Sequence, residues 1–252
     1  MSNDATRPSV RRSFGRRLSN AIAIFTAIQF ALSPAAFANC HEEAMLVFDA
    51  SGSMSATNER GRRIDVARRA AADVLPEVTA VRPTGLVTYG GAYAVGCSGV
   101  ELRMPPMQGS ASLIMSELLA LAPSGQTPLS QATWLAAQTL DNNGSPGTVV
   151  LLTDGYENCG LNACTLGAKL RSEAPKIKVH VIGFHLHSVG ERSIACLANQ
   201  TGGTYTSTRN YEELKQALQK TLTCQRIARG PGATRFGQLA KLQLITLGDA
   251  QG

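Results

Sequence analysis

The 252-residue chain is long enough for one domain with extensions, and its 44% apolar residues are ample for a core. Its formal net charge is +6, but residues 1–38 contain five of the 24 lysines and arginines and one of the 18 acidic residues. The other residues carry 19 basic and 17 acidic side chains and are nearly balanced. Since no basic stripe interleaved with aromatic residues is present, the composition argues against nucleic-acid binding.

Residues 1–38 have the pattern of a cleavable export signal. The arginine-rich segment 11–17 precedes an apolar stretch at 21–32, and the small-x-small sequence at 36–38 fits a cleavage site. We expect the mature protein to begin at Asn39, without a stable membrane span, and to be periplasmic or secreted in a bacterium. The arginine segment also resembles a twin-arginine motif, so the general secretion route and the twin-arginine route both remain open.

All six cysteines follow the expected cleavage point. An even number in an exported chain favours disulfides, although six cysteines allow fifteen pairings. We expect Cys40 and Cys224 to pair, because they bracket the domain and domain termini are often close together. A local bridge between Cys159 and Cys164 would leave Cys97 with Cys196. Cys159 and Cys164 also have near-ligand spacing for a metal, but no second pair or histidine partner accompanies them.

Between residues 39 and 224, strand and helix patterns alternate along the chain. The apolar spacing predicts strands over 45–49, 85–89, 100–104, 148–154, 178–184 and 203–206, and helices over 64–78, 113–121, 128–140, 164–174, 194–199 and 211–222. The alternation predicts a three-layer α/β fold with a doubly wound, mostly parallel, Rossmann-like sheet and one antiparallel edge strand. Residues 225–252 are basic, and we expect them to form a flexible tail.

Two of the predicted strands end in an aspartate. The first, at 45–49, ends in Asp49, and Ser51 and Ser53 follow it; the second ends in Asp154. Ligands of parallel sheets lie at the carboxyl ends of the strands, so these side chains are expected at one edge of the sheet. Carboxylate and hydroxyl oxygens suit a hard divalent cation rather than zinc or copper.

The pattern Asp49-x-Ser51-x-Ser53, with Thr127 before Pro128 and with Asp154 before a glycine, resembles the metal-ion-dependent adhesion site of von Willebrand factor type A domains. The resemblance covers about residues 40–224. It implies that the hydroxyls of Ser51 and Ser53 bind the ion directly and that Thr127 joins them. Asp49 and Asp154 would bind it directly or through water. We expect Mg²⁺, with Mn²⁺ and Ca²⁺ as alternatives.

The resemblance also implies a function. It predicts a non-catalytic protein-binding module of the cell envelope, in which the cation takes an aspartate or glutamate carboxylate from a protein partner. Two alternatives remain: a structural or assembly protein with an idle metal site, and a metal-dependent hydrolase. A dehalogenase-type phosphatase needs a second aspartate where this chain has Ser51, and no G-x-S-x-G elbow is present.

Aromatic and histidine side chains near the predicted strand ends have simpler interpretations. We expect packing roles for Tyr89, Tyr156 and Trp134, although the two tyrosines are close enough in sequence to the site to frame a partner's side chain. His180 is expected to pack within its strand. His185 and His187 are expected in a loop near the rim of the sheet.

Overall fold

The computed structural model describes residues 40, 42–58, 61–92, 94–142, 144–186 and 188–224. The predicted export signal and basic tail lie outside these residues. Within the described residues, no helix has both the length and the hydropathy needed to cross a membrane. The elements in chain order are β1 (Glu43–Ala50), a 3-10 helix (Gly52–Ser55), β2 (Thr57–Asn58), β3 (Gly61–Arg62), α1 (Arg63–Val81), β4 (Thr84–Gly90), β5 (Glu101–Met107), α2 (Ala111–Ala120), α3 (Leu129–Asp141), β6 (Gly147–Thr153), α4 (Ala163–Glu173), β7 (Ile177–Phe184), α5 (Ser188–Gln200), β8 (Tyr205–Thr208) and α6 (Tyr211–Leu222).

Six strands form one sheet in the order β5-β4-β1-β6-β7-β8. All neighbouring strands are parallel except β5, which runs antiparallel to β4. This arrangement confirms the predicted doubly wound, mostly parallel sheet with one antiparallel edge strand. The strands β2 and β3 form a separate two-stranded hairpin that the sequence analysis did not predict.

Alternate residues of β1 face two different cores, so the sheet is the middle of three layers. Leu46 and Phe48 pack in a core with apolar residues of α1, α2 and α6. Met45 and Val47 pack in a second core with residues of α3, α4 and α5. All four side chains are completely buried. A central strand covered by helices on both faces is apolar throughout, which explains why this run ends so abruptly at a polar loop.

Two elements differ in length from their prediction. The strand β5 does not stop before Pro105 but continues through both prolines to Met107. This is tolerated because an edge strand has one side on which missing N–H groups break no ladder bond. The helix α5 begins at Ser188, before the predicted start at residue 194. Its first turns contain Gly190 and little apolar sequence, so they carry no helical periodicity.

The cysteines form three disulfides, of which one was predicted. Cys40 pairs with Cys224, as expected for the two ends of the domain. The other expected pairs, Cys159 with Cys164 and Cys97 with Cys196, are wrong, because Cys97 pairs with Cys159 and Cys164 with Cys196. Cys159 lies in the loop after β6, whereas Cys164 is already in α4 and faces α5. These pairings also leave no cysteine for the alternative metal site.

Candidate metal centre

The candidate site lies at the carboxyl ends of β1 and β6, which are adjacent and parallel in the sheet. Asp49 is the penultimate residue of β1, and Asp154 follows the last residue of β6. The parallel register pairs Phe48 with Leu152. Both carboxylates therefore stand at the same edge, as predicted.

Hydrogen bonds connect the two strand ends. The hydroxyl of Ser53 donates to Asp154 Oδ1 at 2.5 Å, and its Oγ lies 3.0 Å from Ser51 Oγ. The backbone N–H of Asp154 points to Asp49 Oδ2 at 3.4 Å. Ser51 is 1% exposed, and Asp49 is completely buried. The structure thus brings four of the five predicted residues into one small cluster.

The fifth residue, Thr127, enters the cluster beside Gly155. A Cβ atom at Gly155 would lie 3.3 Å from Thr127 Oγ1 and 3.4 Å from Ser53 Oγ. Both hydroxyls therefore border the space that glycine leaves open, and any side chain at this position would crowd them. Thr127 lies in the loop before α3, as predicted, and is nearly buried.

Two residues that the sequence analysis did not single out hold the Thr127 loop in place. Asn158 accepts a hydrogen bond from the Thr127 backbone N–H at 2.8 Å. Glu157 accepts from the backbone N–H groups of Ser130 and Cys159, each at 2.7 Å. Both residues follow Asp154 closely, and their polar character in that loop was the only signal available from the sequence.

The rim of the site is further fixed by backbone contacts and by one disulfide. The Gly52 N–H donates to the Gly125 carbonyl at 3.1 Å, which ties the serine loop to the Thr127 loop. The Gln126 N–H donates to the Gly96 carbonyl at 3.2 Å. The disulfide between Cys97 and Cys159 joins the loop after β4 to the loop after β6. Three separate loops are therefore held around the cluster.

The carboxylate of Asp49 is in an unfavourable electrostatic environment. Burial, and after it the charge of Asp154, raise the pKa of Asp49 to about 6, although hydrogen bonds from Ser51 and Thr153 partly offset this. The Thr153 hydroxyl donates to Asp49 Oδ2 at 2.7 Å. Two close carboxylates with little access to water favour a cation between or beside them.

Arg63, the first residue of α1, supplies one positive charge at the site. Its Nη1 lies 2.8 Å from Asp154 Oδ2, and the side chain of Asp154 is completely buried while that of Arg63 is 22% exposed. The sequence gave no indication of this ion pair, because the two residues are 91 positions apart. Asp154 is therefore paired, whereas Asp49 has only neutral hydrogen-bond donors.

The donor set fits a hard divalent cation. The side chains that surround Gly155 and the two strand ends offer two carboxylates and three hydroxyls, and these are the oxygen ligands that Mg²⁺ and Ca²⁺ prefer. Within the described ranges, no group of three or more histidine, cysteine, aspartate or glutamate side chains is arranged to hold a metal. A site for Mg²⁺ built largely from hydroxyls does not require one.

Most of the aromatic and histidine residues have the packing roles expected. Tyr89 is completely buried and is therefore not available to a partner. Tyr156 and Trp134 pack against the second core, and Lys169 lies 4.2 Å from the Trp134 ring centre. His180 is half-buried and bonds to Thr204 through Nδ1 at 2.9 Å. His185 lies at the end of β7, as expected; His187 is outside the described residues.

An α/β sheet with carboxylates and hydroxyls gathered at its carboxyl edge defines the class of von Willebrand factor type A domains. The sequence profile of this domain matches residues 44–157. YwmD of Bacillus subtilis, an uncharacterized protein, is 32% identical over 190 residues, which cover 69% of this chain and 82% of YwmD. The chain therefore belongs to the von Willebrand factor type A domain family.

Solved structures with the same fold include two proteins of extracellular assemblies. The PilB minor pilin of Streptococcus sanguinis superposes with a TM-score of 0.56 and 16% identity, covering 72% of this chain and 60% of the pilin. Proximal thread matrix protein 1 of the mussel byssus, with a zinc-occupied adhesion site, superposes with a TM-score of 0.53 and 19% identity, covering 73% and 47%. At these identities the similarity establishes the fold alone.

Proposed function

We propose that this protein is a non-catalytic, exported binding module that recognises an acidic residue of a protein partner through a divalent cation. The proposal rests on one observation: Asp49, Ser51, Ser53, Thr127 and Asp154 converge from three segments on one edge of the sheet. A purely structural role would not require hydroxyls and two carboxylates to share so small a volume. Three disulfides support an oxidising location outside the cytosol.

In this proposal the hydroxyls of Ser51, Ser53 and Thr127, with the carboxylates of Asp49 and Asp154, hold the cation. Mg²⁺ is the expected ion, and Mn²⁺ or Ca²⁺ would suit the same donors. When bound, the cation supplies an electrophilic position that an aspartate or glutamate can fill. The chain's own residues orient the donors: Asn158 fixes the Thr127 backbone, and Thr153 fixes the Asp49 carboxylate.

The function is tested by partner binding with and without chelator. The wild-type protein, immobilised and exposed to an envelope extract, is expected to retain its partner in Mg²⁺ and to lose it in EDTA. Ser51→Ala and Asp154→Ala should lose it in both conditions, since removing an interface centre of this kind costs at least about 2 kcal/mol, roughly 30-fold in Kd.

The matched control is Ser55→Ala. Ser55 lies in the same loop, but its hydroxyl bonds to the Gly52 carbonyl at 2.7 Å and is exposed. This variant should bind like the wild type. Retention of the same partner in EDTA would refute the proposal.

The hydrolase alternative has a separate test. Purified protein is assayed with generic phosphate and carboxylate esters in Mg²⁺. We expect no turnover above that of Asp49→Ala. Turnover that requires Asp49 would replace the binding proposal with an enzymatic one.

Arg63 should affect cation affinity. Its guanidinium already neutralises one of the proposed ligands, so Arg63→Gln is expected to bind Mg²⁺ roughly tenfold more tightly, since a like charge within a few ångströms costs on the order of 1–4 kcal/mol. Isothermal titration measures the change. Arg62→Gln is the control, because Arg62 pairs with Asp65 at the surface. Equal or weaker affinity in Arg63→Gln would contradict this role.

A further inference from the structure

We propose that a cleft between α1, the end of β7 and the start of α6 is a second, cation-independent subsite that binds another acidic side chain of the same partner. The inference extends the proposed function and rests on it. The cleft has a volume of about 310 Å³, and its lining includes Val66, Arg69, Phe184, His185, Arg209 and Tyr211. Its lining contains two arginines and no carboxylate.

Both arginines are free to bind an anion. Arg69 and Arg209 are exposed, and neither guanidinium forms an ion pair with any residue that the structure describes. A guanidinium presents several N–H donors in one plane, a geometry that matches a carboxylate. Two such groups at one cleft therefore favour an anionic ligand.

The acidic residues next to the cleft are already engaged. Asp73 accepts the Tyr211 hydroxyl and pairs with Lys215 at 3.0 Å. Glu213 accepts from the Arg209 backbone N–H at 2.8 Å and from Asn210 Nδ2 at 2.7 Å. These carboxylates are held by other donors, so neither neutralises the two guanidinium groups directly.

The cleft is also partly preorganised. The Arg69 guanidinium lies 5.4 Å from the Tyr211 ring centre, and Asp73 fixes that ring through its hydroxyl. His185 has a φ of 56°, in the left-handed region, and its backbone N–H donates to Thr208 at 2.9 Å. A non-glycine residue in this conformation is costly and is often found at functional sites.

The position of the cleft relates it to the metal centre. Phe184 ends β7 and Arg209 follows β8, so the cleft opens at the same carboxyl edge as Asp154. Arg63, which contacts Asp154, and Arg69 lie on one helix, whose rise over six residues is about 9 Å. An extended partner segment covers this distance in about three residues. The expected partner therefore carries two acidic side chains about three positions apart.

A short peptide tests this inference without involving the cation. The probe is a capped tetrapeptide with glutamates at both ends and two glycines between them, and the matching glutamine peptide is its control. In EDTA, the side-chain Nε–Hε NMR signals of Arg69 and Arg209 should shift saturably with the glutamate peptide alone. Arg69→Gln with Arg209→Gln should weaken binding roughly tenfold or more, because both charge-assisted contacts are lost.

Arg171→Gln is the matched control, since Arg171 is an exposed arginine on α4. It should bind the peptide like the wild type. Saturable shifts of Arg69 and Arg209 in EDTA support the cleft even if Mg²⁺ adds no affinity, a result that would count against the metal centre instead. Binding that appears only in Mg²⁺, or shifts no larger than those from NaCl at equal ionic strength, would overturn the inference. Tighter binding of inorganic phosphate than of the peptide would overturn the assignment to an acidic side chain.

Discussion

Replacing Ser51 by alanine is expected to abolish the stabilisation that Mg²⁺ gives to the folded protein. At a Mg²⁺ concentration about 100 times its Kd, binding to the native state alone raises the free energy of unfolding by about 2.7 kcal/mol. For a domain of this size the corresponding increase in Tm is about 5–11 °C. Ser51→Ala should show no increase, because a proposed direct ligand is missing. Differential scanning calorimetry of the oxidised protein, in Mg²⁺ and in EDTA, measures both values.

The same substitution should have little effect in EDTA. Ser51 loses only the hydrogen bond between its hydroxyl and Ser53, which is worth about 1 kcal/mol. Ser55→Ala, in the same loop, should keep the full Mg²⁺ effect. If Ser51→Ala gained as much stability from Mg²⁺ as the wild type, the cation would be bound elsewhere.

Removing the disulfide between Cys40 and Cys224 is expected to be the most destabilising change. The bridge spans 184 positions, and in the chain-entropy model a loop of this length stabilises the native state by about 5 kcal/mol. Replacing both cysteines by serine should therefore lower Tm by about 10–20 °C. Urea unfolding followed by circular dichroism gives the free energy directly.

The folded state should keep its ends together without this bridge. Arg82 is almost fully buried and donates to the Glu42 and Leu222 carbonyls, each at 2.9 Å. The disulfide consequently acts mainly on the unfolded chain. A loss below about 1 kcal/mol would show that the unfolded chain is already constrained in another way.

The main architecture could be predicted from the sequence because its elements are locally distinct. Buried parallel strands are continuous apolar runs, and the amphipathic helices between them repeat every three to four residues. The elements that differed were those with weak local patterns. The hairpin of β2 and β3 has only two residues in each strand, and the start of α5 has almost no apolar residues.

The proposed ligands could also be singled out, because Asp49 and Asp154 directly follow recognisable strands and the fold places such strand ends together. Arg63, Glu157 and Asn158 could not, since their importance depends on contacts across the chain. The wrong disulfides have a similar cause. Nearness in sequence suggested a bridge from Cys159 to Cys164, but the start of α4 at Ala163 separates their directions.

The most direct test of the metal centre is a crystal structure of the mature protein grown with Mn²⁺ and recorded at the manganese absorption edge. We expect one anomalous peak at the carboxyl ends of β1 and β6, within coordination distance of the Ser51 and Ser53 hydroxyls, and no such peak in Ser51→Ala. A wild-type crystal without density there, or with the ion bound at a different place, would contradict the account.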